Sequence, residues 1–158
     1  MEEQQKVTFE DLLARDGQLV YKTRGVSMEP MLRQNRDLVQ IGVPSGRLKR
    51  FDVALYRRRE QYVLHRVIRV EDGFYRIRGD NTYSVEHVPD GNVIGVLKGF
   101  VRKGKQHSVE ERGYRFYAAA WNALYPLRAL RFHTVRFLKR IARKTGLTPI
   151  LKKLLRRK

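Results

Sequence analysis

The chain has 158 residues, enough to bury one respectable hydrophobic core and no more. It contains no cysteine, which excludes a disulfide framework and thiol catalysis, and its four histidines, His65, His87, His107 and His133, stand at no metal-ligand spacing, so neither a metal nor another cofactor is expected. The charge is lopsided: 34 Lys and Arg stand against 16 Asp and Glu for a net +18, yet every acidic residue lies at or before Glu111, so residues 112–158 hold 14 basic groups and no acidic one.

Residues 1–18 read as a helical lead-in. The opening Met-Glu-Glu-Gln-Gln-Lys is acidic and lacks an apolar stretch, so no signal peptide is expected, and Thr8 to Leu13 suggests a short capped helix. Strand candidates rich in Val, Ile, Leu, Tyr and Phe follow at 19–23, 37–41, 52–57, 62–70, 74–78 and 93–101. Turn residues separate them, among them Gly42-Val-Pro-Ser-Gly46, and no Gly-rich phosphate loop or internal repeat interrupts the series. Lys103-Gly104-Lys105 is expected to end the last strand and to mark a domain boundary. The pattern predicts a mainly β, mostly antiparallel domain over 19–106, flanked by the lead-in and by a basic helical tail over 107–158.

Three residues in this domain supply the chemical types of a serine hydrolase. A hydroxyl is a poor nucleophile at neutral pH unless an imidazole or amine takes its proton, and the base works better when a carboxylate orients it. Ser27 lies in Gly25-Val-Ser-Met-Glu-Pro-Met-Leu32, where a short strand runs into glycine and Pro30 suits a helix start or a tight bend. His65 lies within the strand candidate 62–70, whose backbone can hold the imidazole on a fixed edge. Asp80 lies in the turn Gly79-Asp80-Asn81, from which an acidic side chain can point back at the sheet, and Glu86 is close enough in sequence to take the same role. Singly, a serine before Met-Glu-Pro is an N-cap, a strand histidine is a packed residue and Asp-Asn is turn chemistry; the ordered combination points to nucleophilic catalysis.

The ordered blocks resemble the S24/S26 superfamily of serine peptidases, and most closely the signal peptidase I group. Gly25 to Leu32 is similar to the family's Ser-Met-x-Pro-Thr-Leu box, with Met31 where threonine is usual. Arg36-Asp-Leu-Val39 and Phe51-Asp-Val-Ala-Leu-Tyr56 resemble its two Gly-Asp-hydrophobic strands, with Arg36 and Phe51 in place of the glycines. Tyr62 to Ile68 matches the box of the general base, Ile77-Arg-Gly-Asp-Asn81 the Lys-Gly-Asp-Asn box, and Val93-Ile-Gly-Val96 the closing strand. The resemblance spans about Leu19 to Lys105 and implies a coiled, barrel-like antiparallel β fold. Ser27 would be the nucleophile, His65 the general base, and Asp80 the residue that orients His65 or secures the turn. Histidine as base is the habit of the endoplasmic-reticulum, archaeal and sporulation-type enzymes, whereas typical bacterial members use lysine. Gly25 offers no hydroxyl to an oxyanion hole, so backbone N–H groups, that of Ser27 included, would form it. The implied activity is endopeptidase cleavage of a precursor or leader peptide with small residues at the first and third positions before the cut. A self-cleaving repressor of the same superfamily is one alternative, against which the missing lysine base stands, and a non-catalytic protein that binds nucleic acid through its basic tail is the other.

The tail is a separate electrostatic object, and its field attracts phosphate-bearing partners. From Pro126, Leu127, Leu130, Phe137, Leu138 and Ile141 fall on one side of a 3.6-residue helix and Arg128, Arg136, Lys139, Arg140 and Arg143 on the other, with Arg131 as an intruder. Gly146 would end this helix and Thr148-Pro149 would cap a second one. With Tyr114, Phe116, Tyr117, Trp121 and Tyr125 as headgroup-level rings, the expected partner is an anionic membrane surface, ahead of nucleic acid. No stretch is long and apolar enough to span a bilayer, so a cytoplasmic protein peripheral to the membrane is expected.

Overall fold

The computed structural model describes residues 7–144. It is mainly β. The order is α1 (Phe9–Asp16), β1 (Gln18–Lys22), β2 (Leu38–Gly42), β3 (Val53–Arg58), β4 (Gln61–Glu71), β5 (Phe74–Arg78), β6 (Glu86–Pro89), β7 (Val93–Arg102), β8 (Lys105–Ser108), α2 (Arg112–Ala123) and α3 (Tyr125–Lys144). All eight strands form one antiparallel sheet in the order β1-β2-β7-β3-β4-β5-β6, with β8 on β7.

The lead-in helix forms for local reasons. Thr8 and Asp11 exchange side-chain-to-backbone hydrogen bonds in a capping box, and Gly17 ends the helix at φ 70° with its N–H on the Leu13 carbonyl. Leu13 carries the helix into the core.

The sheet is buried on both faces at its centre, which is why β3 reads as an unbroken apolar run. Val53 and Leu55 join a core with Leu13, Met28, Met31, Leu32, Ile41, Leu97 and Phe100, while Ala54 and Tyr56 join a second with Val67, Tyr75, Ile77, Val88 and Val96. Bulges interrupt the ladders at Gln40/Ile41, Leu55/Tyr56 and Val67/Arg69. The aspartates of the two Asp-hydrophobic motifs close the turns before their strands: Asp37 accepts the Arg33 N–H at 2.9 Å and Asp52 the Lys49 N–H at 2.7 Å. Phe51 sits at φ 77°, in the left-handed region that favours glycine.

Two expectations are corrected. Lys103-Gly104 is no boundary but the tight turn of the β7–β8 hairpin, with φ positive at both residues. The first compact unit runs from Met1 to Asn122 and the second from Ala123 to Lys158, so the unit that holds the sheet extends past 106 and takes in β8 and nearly all of α2. The reason lies in three of the tail's rings. Tyr114 and Tyr117 pack against the first core, and Trp121 stacks on Tyr117 with centroids 5.9 Å apart, so these side chains serve the sheet rather than a membrane surface. Two strands went unrecognised, β6 and β8, each of four residues and without strong periodicity. The second tail helix expected from Thr148 lies outside the described residues.

The second unit contains α3, a helix of 20 residues starting beside Pro126 as its sequence indicated. Leu127, Leu130, Phe137, Leu138 and Ile141 are exposed on it, as is Leu124 just before it. Among the described residues no helix is long and apolar enough to cross a membrane.

Candidate active site

Strand register decides which of the expected residues meet. Arg66 pairs with Arg78 across β4 and β5, so the next antiparallel position brings Gly79 opposite His65. Ile77 pairs with Val67 on one side and Glu86 on the other. Alternation along each strand therefore puts His65, Val67, Ile77, Gly79, Glu86 and Val88 on one face of the sheet, and Arg66, Arg78 and Asp80 on the other.

Ser27 begins a sharp turn after β1, partly buried, and its main chain is gripped by the segment after β5. The Asn81 N–H donates to the Ser27 carbonyl at 2.7 Å, and the Asn81 side-chain amide donates to the Val26 carbonyl at 3.2 Å. Gly79 is the point of convergence. A Cβ there would lie 2.6 Å from the Ser27 carbonyl oxygen and 3.1 Å from both Cδ2 and Nε2 of His65. The serine turn and the Nε2 edge of the imidazole thus flank one glycine.

The other edge of His65 faces Glu86. Nδ1 lies 3.3 Å from Glu86 Oε1 and 3.2 Å from the Tyr56 hydroxyl, and the ring is buried at 5 % exposure. Arg58 holds the carboxylate from outside, with Nη1 3.2 Å from each oxygen. A carboxylate at Nδ1 favours the tautomer with the ring proton there, which leaves the lone pair on Nε2, the edge beside Gly79. Burial holds the imidazole below its ordinary value of 6.5 against the opposing pull of Glu86, so it is neutral at pH 7 and able to accept a proton. Burial and the neighbouring Glu86 together push the Tyr56 phenol up, and it stays protonated.

Asp80 does not occupy the orienting position. Its two oxygens each accept from Arg66 at 2.8 Å, Tyr117 Oη donates to Oδ2 at 3.3 Å and Trp121 Nε1 donates to its backbone carbonyl at 2.9 Å. The cause is register: Asp80 is one residue past Gly79 and so faces Arg66, whereas Glu86 shares the face of His65. Arg66 is completely buried and also donates to the Phe51 carbonyl at 3.0 Å and the Tyr114 hydroxyl at 3.1 Å. Burial works against its charge, but Asp80 overcomes this and holds the guanidinium protonated above its ordinary range. Arg78, on the same face, donates to Asn122 Oδ1 at 3.1 Å.

Sequence reasoning thus named Ser27 and His65 at one convergence, kept Glu86 as an alternative, and missed Tyr56, Arg58, Arg66, Asn81 and Trp121. Arg66 carried a signal of its own, a cation inside a Val- and Ile-rich strand. Among the described residues no three His, Asp or Glu side chains cluster in a way that could hold a metal ion. No protein-family model matches this chain, and no curated protein sequence matches it either.

Proposed function

We propose that the protein is a serine endopeptidase of signal peptidase I type that cleaves a precursor or leader peptide by a Ser-His mechanism. The observation that carries the reading is the convergence at Gly79, with the Ser27 carbonyl on one side and His65 Nε2 on the other, and a carboxylate on Nδ1 behind it. Ser27 Oγ attacks the scissile carbonyl carbon while its proton passes to His65 Nε2. The tetrahedral intermediate collapses, the C–N bond breaks, and the imidazolium returns the proton to the leaving amine. Water then adds to the acyl-enzyme by the same route in reverse. Glu86 keeps the imidazole in the productive tautomer, and the Ser27 N–H serves the oxyanion. The same reading takes the sheet as the coiled, barrel-like fold of the S24/S26 superfamily, supported by its three bulges and by the burial of β3 on both faces.

The proposal extends to α3 as a peripheral anchor on an anionic membrane surface. It rests on the exposed Leu127, Leu130, Phe137, Leu138 and Ile141 of a helix whose charged residues are all basic.

The test is cleavage of a proteome-derived peptide library by the purified protein, with the new ends sequenced. Ser27→Ala and His65→Ala are each expected to abolish cleavage while remaining folded, and the double variant to be no worse than either, because the pair acts as a unit. A Ser27→Ala protein that cuts at the normal rate sinks the proposal.

A further inference from the structure

We infer that Trp121 is a positioning residue for the Ser27 turn, acting through the Asp80–Asn81 peptide group; the inference rests on the peptidase reading above. The carbonyl of Asp80 and the N–H of Asn81 belong to one planar unit, which cannot turn at one end without turning at the other. Trp121 Nε1 holds the carbonyl end at 2.9 Å, and the N–H end donates to the Ser27 carbonyl at 2.7 Å. An acceptor bonded at its oxygen makes the same peptide a stronger donor at its nitrogen, so the indole both aims and reinforces the bond to Ser27.

Asn81 completes the grip from the other side of the serine. Its side chain holds the Val26 carbonyl, which also accepts the Glu29 N–H at 3.2 Å. The Val26–Ser27 peptide is trans, so fixing its carbonyl directs the Ser27 N–H the opposite way, the orientation that an oxyanion donor has to keep. Asn81 thereby holds two successive peptide planes around the nucleophile, one through its N–H and one through its side chain, and the indole N–H on α2 fixes the peptide group from which the first of these bonds is made. The indole is suited to this because it is a donor only, and the Asp80 carbonyl is an acceptor only. Tyr117, four residues earlier on the helix, touches the Asp80 carboxylate instead and serves as an internal control.

The experiment uses the full-length protein and a quenched fluorescent peptide with alanine at the first and third positions before the scissile bond. Trp121→Phe keeps a ring against Tyr117 and deletes the donor. It is expected to lower kcat roughly ten- to a hundredfold with KM unchanged. Tyr117→Phe is expected to stay within about twofold of the wild type, since it leaves the peptide plane alone. Benzothienylalanine at position 121, isosteric with tryptophan but lacking the N–H, gives the same loss as Trp121→Phe if the donor is what matters, and it keeps the test decisive should phenylalanine unsettle the fold. Amide exchange at Asn81 supplies a readout independent of turnover, expected to quicken in both position-121 variants and not in Tyr117→Phe. Wild-type kcat in the position-121 variants overturns the positioning role and leaves the peptidase reading standing. Unchanged Asn81 exchange overturns the relay itself. A Ser27→Ala protein that still cuts overturns the peptidase reading, with Asn81 exchange still deciding the relay.

Discussion

Gly79→Ala isolates the convergence at the centre of the site. The added methyl would stand 2.6 Å from the Ser27 carbonyl oxygen, where ordinary contact begins at 3.4 Å, so the two must part by about 0.8 Å. On its other side the methyl meets His65 Cδ2 and Nε2 at 3.1 Å, and the ring must give by a few tenths of an ångström more. Neither neighbour yields cheaply: one is main chain held by Asn81, the other a buried ring fixed at Nδ1. Overpacking of this kind costs about 2 kcal/mol, which lowers Tm by roughly 4–8 °C for a chain of this size. The serine and its base are meanwhile pushed apart by close to an ångström, and a misplacement on that scale costs about a hundredfold in kcat. Activity should therefore fall far more than stability, measured as peptide cleavage at a temperature where the variant stays folded. Gly95→Ala is the control, because its methyl would strike the Ile41 and Leu13 side chains away from the site and should cost stability with kcat retained. A folded Gly79→Ala protein with wild-type kcat refutes the claim that Ser27 and His65 face each other across this glycine.

Glu86→Gln should lower kcat by about two to four orders of magnitude, since the carboxylate that holds the tautomer and supports the imidazolium is gone. Wild-type activity should rise with pH through a midpoint below 6.5, because burial depresses His65, and the midpoint should drop further in Glu86→Gln, where the charge that favoured the imidazolium is missing; an upward move in the rate profile contradicts the assignment. The same depression has a stability consequence of definite sign. Above 6.5 His65 is neutral folded or unfolded and contributes nothing, whereas below it the unfolded chain takes the proton more readily, so stability falls with acid and His65→Phe should lose part of that fall in urea titrations. Asp80→Asn should cost about 3–5 kcal/mol in urea unfolding by leaving Arg66 charged and uncompensated in the core, and a loss below about 1 kcal/mol would deny the pair its structural role. A chain ending at Asn122 should cleave a soluble peptide and lose sedimentation with anionic vesicles. One ending at Glu111 should lose both, since Tyr114, Tyr117 and Trp121 go with the cut. Salt-labile RNA binding by the full chain without vesicle binding would replace the anchor by a nucleic-acid site.

The contrast between Asp80 and Glu86 explains how far the sequence could be read. Residue types and their order were enough to bring Ser27 and His65 to attention, and the β-rich runs located six of the eight strands, because nucleophile, base and apolar period are local properties of the chain. Which carboxylate serves the histidine is not local. It depends on face parity, and parity depends on register: with Arg66 opposite Arg78, Gly79 falls beside His65 and Asp80 is turned to Arg66, and with Ile77 opposite Glu86, that side chain returns to the face of His65. A slip of one residue between β4 and β5 would exchange the two assignments. The aromatic tail shows the same limit in a helix. Tyr114, Tyr117 and Trp121 recur at three- and four-residue spacing, which marks one helix face but not its partner. What claims them is the Arg66–Asp80 pair and the main chain beside it: Tyr114 and Tyr117 hydrogen-bond the two buried charged side chains, and Trp121 the Asp80 carbonyl. The pair that turns Asp80 away from His65 is thus the reason that α2 belongs to the first compact unit, and β4 carries two environments in adjacent residues, His65 facing Glu86 and Gly79 and Arg66 facing Asp80 and the rings of α2.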